Sequence, residues 1–130
     1  MELTTEQKQH ICAELARRMG WTPPTSYDAP WPERFLYWLS PDGQSNQEEA
    51  PDSFTDAAAS RALVEWLRKD ECRFYDFAEI LIEVEMKLPR QQMDWQEIVI
   101  AAMTAPLETI ALAAARALGI RPDASNAPTR

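Results

Sequence analysis

The run DWQEIVIAAMTAPLETIALAAARALG, residues 94–119, constrains the fold more than any other part of the chain. Its second half is so rich in alanine that a helix there can lie close against a sheet. Leu107, Ile110, Ala111, Ala114 and Leu118 recur at helical spacing, and Gly119 supplies a stop. Thr104 is placed to cap this helix, with Pro106 in its first turn and Glu108 set favourably against the helix dipole. Before it, Trp95, Ile98, Val99 and Ile100 suit a pleated, buried surface, so the run reads as a short strand followed by a helix. None of it carries reaction chemistry.

The remaining elements can be read around this one. Thr4 and Gln7 have capping-box spacing, and Ile11, Cys12, Leu15 and Met19 make the apolar stripe of a first helix that Gly20 ends, with Trp21 folding back on its last turn. Four prolines interleaved with Tyr27 and Trp31 then forbid a helix and predict a proline-rich surface insertion over residues 22–34. Residues 35–39 suit a short strand closed by Pro41-Asp42-Gly43, and residues 44–51 read as polar and mobile. A second helix begins near Ser53, where Ser53 and Asp56 resemble a capping pair. It runs to about Lys69, with Ala59, Leu63, Trp66 and Leu67 on its buried face.

Residues 76–88 fit two periods. Ile80, Ile82, Val84, Met86 and Leu88 alternate as in a strand, while Phe77, Ile80, Leu81, Val84 and Leu88 fit a helical stripe. The strand is preferred, because Pro89 and the residues up to Met93 then form a hairpin loop into the strand that starts at Trp95. The expected fold class is α+β, a small, mainly antiparallel sheet of about three strands covered by helices, in the order α-β-α-β-β-α. Residues 1–120 make one domain on this reading, and residues 121–130 a disordered tail.

Charge and cysteine usage narrow the partners. The net charge is -8, and all of the excess lies in residues 42–85, where twelve acidic side chains meet four basic ones. Direct binding to nucleic acid is disfavoured, because displacing counterions from phosphates needs Lys and Arg. Cys12 and Cys72 lie far apart without a C-x-x-C pattern, in segments that read as packed structure, and are expected to be buried free thiols. Glu2, Glu6 and Lys8 interrupt any apolar leader, and no stretch approaches the ~18 apolar residues of a membrane span, so a cytoplasmic protein is expected.

Candidate chemistry is sparse. The single histidine, His10, has no recognisable nucleophile beside it, and a zinc site from His10, Cys12 and Cys72 lacks a fourth ligand. Glu83 and Glu85, two apart on a strand, would face one side, as a cation site or an acid–base pair requires; the solvated face of a half-buried sheet is the preferred explanation. No catalytic, cofactor-binding or metal-binding set is expected. Among the aromatic residues Trp21, Tyr27, Trp31, Phe35, Tyr37 and Trp38, Tyr27 and Trp31 fall in the proline-rich loop and suit an interface. Together with the acidic pairs Glu48-Glu49 and Asp70-Glu71 they form the expected protein-binding set.

One likeness runs through the chain. Gly20-Trp21, Tyr37-Trp38 before Pro41-Asp42-Gly43, residues 51–56 (PDSFTD), Trp95, and residues 104–107 (TAPL) with Ile110-Ala111 and Ala113-Ala114 together resemble the phage ABA-sandwich domain family over residues 4–119. The resemblance implies a helix–sheet–helix sandwich and a phage-encoded protein in a bacterial cytoplasm, with no catalytic residues to carry over. It departs from the pattern in the long insertion between Trp21 and Tyr37 and in the extra segment 72–77. The functional expectation is a non-enzymatic accessory protein that binds a host or phage protein. Its concrete form is inhibition of a host defence, of anti-CRISPR type, through an acidic surface fitted to a basic nucleic-acid-binding groove. The alternative is a structural or self-associating protein, with homo-oligomers.

Overall fold

The computed structural model describes residues 3–24, 37–88 and 93–122, so most of the expected tail and most of the proline-rich insertion lie outside the described residues. The class is α+β, but the balance is strongly helical. In chain order the described elements are α1 (Thr5–Arg18), β1 (Trp38–Leu39), β2 (Asn46–Gln47), α2 (Ala57–Arg68), α3 (Glu71–Ile80), α4 (Trp95–Thr104) and α5 (Leu107–Ala117). A π-helical turn, Leu81–Glu85, extends α3 directly.

The first helix forms as its sequence signals. Thr4 Oγ1 accepts the Gln7 N–H at 3.1 Å, and Gln7 Oε1 accepts the Thr4 N–H at 2.8 Å, which satisfies two of the free donors at a helix start. Ile11, Cys12, Leu15 and Ala16 are buried. Gly20, at φ +103°, closes the helix, with the Trp21 N–H on the Ala16 carbonyl at 2.9 Å and the Gly20 N–H on that of Arg17 at 3.1 Å. This is the Schellman arrangement that glycine favours.

The sheet consists of a two-stranded antiparallel hairpin with Trp38 opposite Gln47 and Leu39 opposite Asn46, extended by a single bridge from Thr22 to Leu39. Residues 44–51, expected to be mobile, therefore contribute its second strand. Asp42 organises the turn: Oδ1 accepts from the Ser40 hydroxyl at 2.5 Å and the Gln44 N–H at 2.9 Å, and these bonds lower its pKa.

Both later strands of the expected sheet are helices. For residues 76–88 the deciding signal is upstream, where Asp70 Oδ1 caps the Arg73 N–H at 3.1 Å and Glu71 occupies the first turn. Phe74, Phe77, Ala78, Leu81 and Ile82 then bury at helical spacing. For residues 95–100 it is the Asp94-x-x-Glu97 capping box, with the Glu97 N–H on Asp94 Oδ1 at 2.8 Å and the Asp94 N–H on Glu97 Oε1 at 2.9 Å. The β-branched run Ile98-Val99-Ile100 follows that start into α4, because burying Ile98, Ala101 and Ala102 on one face outweighs a weak strand propensity.

Thr104 ends α4 instead of capping α5: its hydroxyl donates to the Ile100 carbonyl at 2.8 Å. Pro106 forces Ala105 into extended backbone (φ -65°, ψ 157°), and the chain turns by 116° between α4 and α5. Pro106 is the N-cap of α5 rather than part of its first turn.

The core gathers around α5. Ile110, Ala111, Ala113, Ala114 and Ala115 are buried, and α5 packs most extensively on α3 and its π turn, against Phe77, Leu81 and Ile82. The small side chains allow close approach, as the alanine run predicts, but the covering layer is helical. On α2 the buried face is Ser60, Leu63, Val64 and Leu67, with Ala59 and Trp66 half-buried; Asp56 caps it through the Ala58 N–H at 3.0 Å. Two long side chains tie α1 alongside α5 in the same direction: Lys8 to Glu108 at 3.6 Å near their starts, and Arg18 Nη1 to the Leu118 carbonyl at 2.9 Å near their ends.

Candidate functional site

The residues expected to bind a partner do not form one surface. Tyr27 and Trp31 lie outside the described residues. Glu48 and Glu49 are exposed on the arm that leaves the hairpin, and they line a cleft of about 580 Å³ with Lys8, Cys12, Trp38 and Asp52. Asp70 and Glu71 start α3, and Glu71 lines a different cleft, of about 520 Å³, with Arg68, Cys72, Phe74, Tyr75, Trp95 and Val99. Glu83 and Glu85 also part company: Glu83 is exposed, whereas Glu85 turns inward to Arg116, with Nε 2.8 Å from Oε2. That buried oxygen has a compensating charge without a hydrogen-bond geometry. His10 is half-buried on α1. Of the two thiols expected to be buried, only Cys12 is; Cys72, in the first turn of α3, is exposed. Among the described residues no group of three or more His, Cys, Asp or Glu could hold a metal ion.

The first cleft is built around a thiol and a carboxylate. The Cys12 thiol donates to Asp52 Oδ1 across 3.7 Å. Burial pushes the Cys12 pKa up to about 11; the Ser53 N–H opposes that rise, and the negative charge of Asp52 adds to it. A protonated thiol is a poor nucleophile and a poor ligand. Partial desolvation would raise the Asp52 pKa, but bonds from the Thr55 hydroxyl (2.7 Å), the Phe54 N–H (2.9 Å) and the Cys12 thiol outweigh it and bring the carboxyl below its usual range. These contacts hold the 52–55 turn against α1. The nearby cations are engaged on rings and carboxylates: Lys8 lies 5.7 Å from the Phe54 ring centre and Arg17 the same distance from that of Trp38, with Arg17 also paired to Glu14. The cleft is a well-satisfied structural joint.

The second surface has a different character. The inner face of α4 carries Ile98, Ala101 and Ala102 in the core, yet its outer face is apolar too, with Trp95 52%, Ile100 61% and Met103 44% exposed and Val99 half-buried. Trp95, Val99 and Met103 follow one another at i, i+4, i+8 and so line one side of the helix. At one end Trp95 stands edge-on to Phe74, with ring centres 5.7 Å apart and planes at 79°. Beside it Tyr75 is 41% exposed. Exposed Gln96, Glu97 and Thr104 share the outer side of α4, so its apolar part is a strip and not the whole surface.

The neighbouring face of α3 supplies charge. Glu71, Cys72, Tyr75, Asp76, Glu79 and Glu83 fall within one arc of the helix, so four carboxylates border the aromatic pair. The one base within this stretch, Arg73, points elsewhere: its guanidinium lies 3.7 Å from the Trp66 ring centre and donates to the Trp66 carbonyl at 2.5 Å. Arg68 is the basic side chain that lines the cleft.

Trp95 and Ile100 are absent from the expected binding set because the strand reading places them in a sheet, and Tyr75 and Met103 fall outside every expected element. The D-x-x-E start at Asp94 is the available signal for a helix there. Comparison with known proteins adds no relative: the chain matches no family model, no curated protein and no solved structure. Among the described residues no single helix is long and apolar enough to cross a membrane.

Proposed function

We propose that this chain acts by binding another protein, with the outer face of α4 and the adjoining face of α3 as the contact. The observation that carries this reading is the exposure of Trp95, Ile100 and Met103 on a helix whose opposite face is already in the core. Contiguous apolar groups with aromatic members and a charged border are the composition of a docking patch. Burial of Trp95 alone supplies affinity on the scale of an interface hot spot, ~2 kcal/mol or more.

The expected phage accessory role, with inhibition of a host defence as its concrete form, has the residue resemblance as its support. A helix–sheet–helix sandwich needs strands where this chain forms α3 and α4, and the acidic pairs it relied on are divided between two clefts. Protein binding is the part of that expectation carried forward here. A photo-crosslinking side chain placed at Ile100, compared with one at exposed Arg61 on α2, tests the reading in lysate of the source cell. A discrete adduct from position 100 that disappears in Trp95→Ala is expected. Equal labelling from both positions would sink it.

A further inference from the structure

The acidic border identifies the chemistry of the occupant. We infer that the α3–α4 surface receives a basic amphipathic helix, whose apolar stripe lies on Trp95, Val99, Met103 and Tyr75 and whose Lys or Arg residues meet the carboxylates of α3. This rests on the reading of α4 as a docking face and adds the identity of what docks.

Two observations lead to a helix of this charge. Exposed Trp95, half-buried Val99 and exposed Met103 follow one another at i, i+4, i+8, a straight strip about 12 Å long, which matches the stripe of a facing helix better than a flat or branched contact. Along α3 and its π turn, Glu71, Asp76, Glu79 and Glu83 line the side next to Tyr75, while the remaining charges are already engaged, Arg73 on Trp66 and Glu85 on Arg116. Carboxylates bordering an apolar strip select positive charge and reject negative charge by several-fold in affinity. A second copy of this chain is the competing occupant, and it fits poorly. Each copy carries a net charge of -8, and a two-fold contact on this face would bring its own carboxylate row near that of its partner.

The probe is a fluorescent peptide of about 18 residues, ~27 Å of helix, with Leu at i, i+3, i+4, i+7 and Lys elsewhere. Matched versions carry Gln or Glu in place of Lys, and binding is read by anisotropy. The Lys peptide is expected to bind at least about tenfold more tightly than the Gln peptide, and the Glu peptide not measurably. Trp95→Ala and Met103→Ser should each weaken it about tenfold without changing the circular dichroism melt, since the two side chains are 52% and 44% exposed. Glu79→Gln with Glu83→Gln should weaken it and flatten its salt dependence, whereas Glu48→Gln with Glu49→Gln should not.

If the Gln or Glu peptide binds as well as the Lys peptide, and Trp95→Ala still abolishes binding, the basic occupant is wrong while the docking face stands. If Trp95→Ala and Met103→Ser leave Lys-peptide binding unchanged, the docking face itself is wrong. Sedimentation showing a dimer that Ile100→Ser dissolves would replace the basic helix by a second copy.

Discussion

The Cys12 thiol and the Asp52 carboxylate, forty positions apart in the chain, meet at 3.7 Å and fasten the turn before α2 to the middle of α1. Because the folded thiol ionises near 11 and an ordinary one near 9.0, the unfolded chain loses this proton first as pH rises. The stabilisation is complete below pH 9 and is lost on the way to about 11. Urea midpoints measured from pH 8 upward should therefore fall more steeply for the native chain than for Cys12→Ala. The thiols should also differ in reactivity: exposed Cys72 titrates with a disulfide reagent at once, and buried Cys12 only as the chain opens.

Asp52 acts at the opposite end of the pH scale. Its carboxyl is held below its ordinary value of 3.8, so the unfolded chain takes up the proton first as pH falls. The contribution is whole above that value and disappears below it. Asp52→Asn should flatten the acid side of the stability profile relative to the native chain. An acid limb unchanged by the substitution would show that other carboxylates control it.

The Glu85–Arg116 pair is asymmetric, with side-chain exposures of 14% and 60%. Removing the exposed partner strands a charge that is nearly buried, whereas neutralising the inner one leaves a solvated guanidinium. Arg116→Ala should cost about 1–2 kcal/mol and Glu85→Gln within ~0.5 kcal/mol. Thermal melts of the two variants and their double mutant give the comparison directly.

Two helix ends make the same demand on the backbone and meet it with different residues. Gly119 sits at φ +75° with open space where a side chain would go, and the Ile120 N–H closes on the Ala115 carbonyl at 2.8 Å. Lys87 occupies the same left-handed region, at φ +56°, without glycine's freedom. Gly119→Ala should lose about 1 kcal/mol, and Lys87→Gly should gain up to about 1 kcal/mol. Denaturant titration will separate the two signs.

Close packing of α5 leaves no room for growth at Ala114, which is fully buried. Ala114→Leu should cost about 1–3 kcal/mol through displacement of the neighbouring helices. A neutral melt would mean that the layer yields more than its small side chains imply.

Helix ends were the most legible part of the sequence. Thr4 with Gln7, Gly20 with Trp21, and Gly119 each carry a local signal whose hydrogen bond then forms within a few residues. The Ser53–Asp56 pair set the start of α2 too early: Asp52 holds residues 52–55 in a turn, and Asp56 is itself the cap of a helix that begins at Ala57. What misled was periodicity in short apolar runs. Ile80 to Leu88 satisfies both a two-residue and a helical period, and only the Asp70 cap decides between them, from outside the run. The same holds for Ile98-Val99-Ile100, whose strand preference yields to a capping box and to the alanines that follow. The candidate surface was hidden by that error. Glu71 was in the expected set for its charge, but the aromatic neighbours Tyr75 and Trp95 become a surface only when α3 and α4 are both helices.

The π turn at Leu81–Glu85, closed by the Met86 N–H on the Leu81 carbonyl at 2.9 Å, has a consequence for how such a chain can change over time. A turn closed five residues back holds one more residue than the ordinary helix needs. The segment is therefore a tolerated insertion, sitting at the seam between the buried Leu81 and Ile82 and the acidic row that ends at Glu83. Loss of a single residue there would restore uniform winding while leaving the residues after it facing as they do now, because the wide turn already absorbs the extra one. Two homologous chains differing by that one residue would keep the same core on both sides of the turn, and an ungapped alignment across the segment would set every later helical residue about 100° out of phase with its true counterpart.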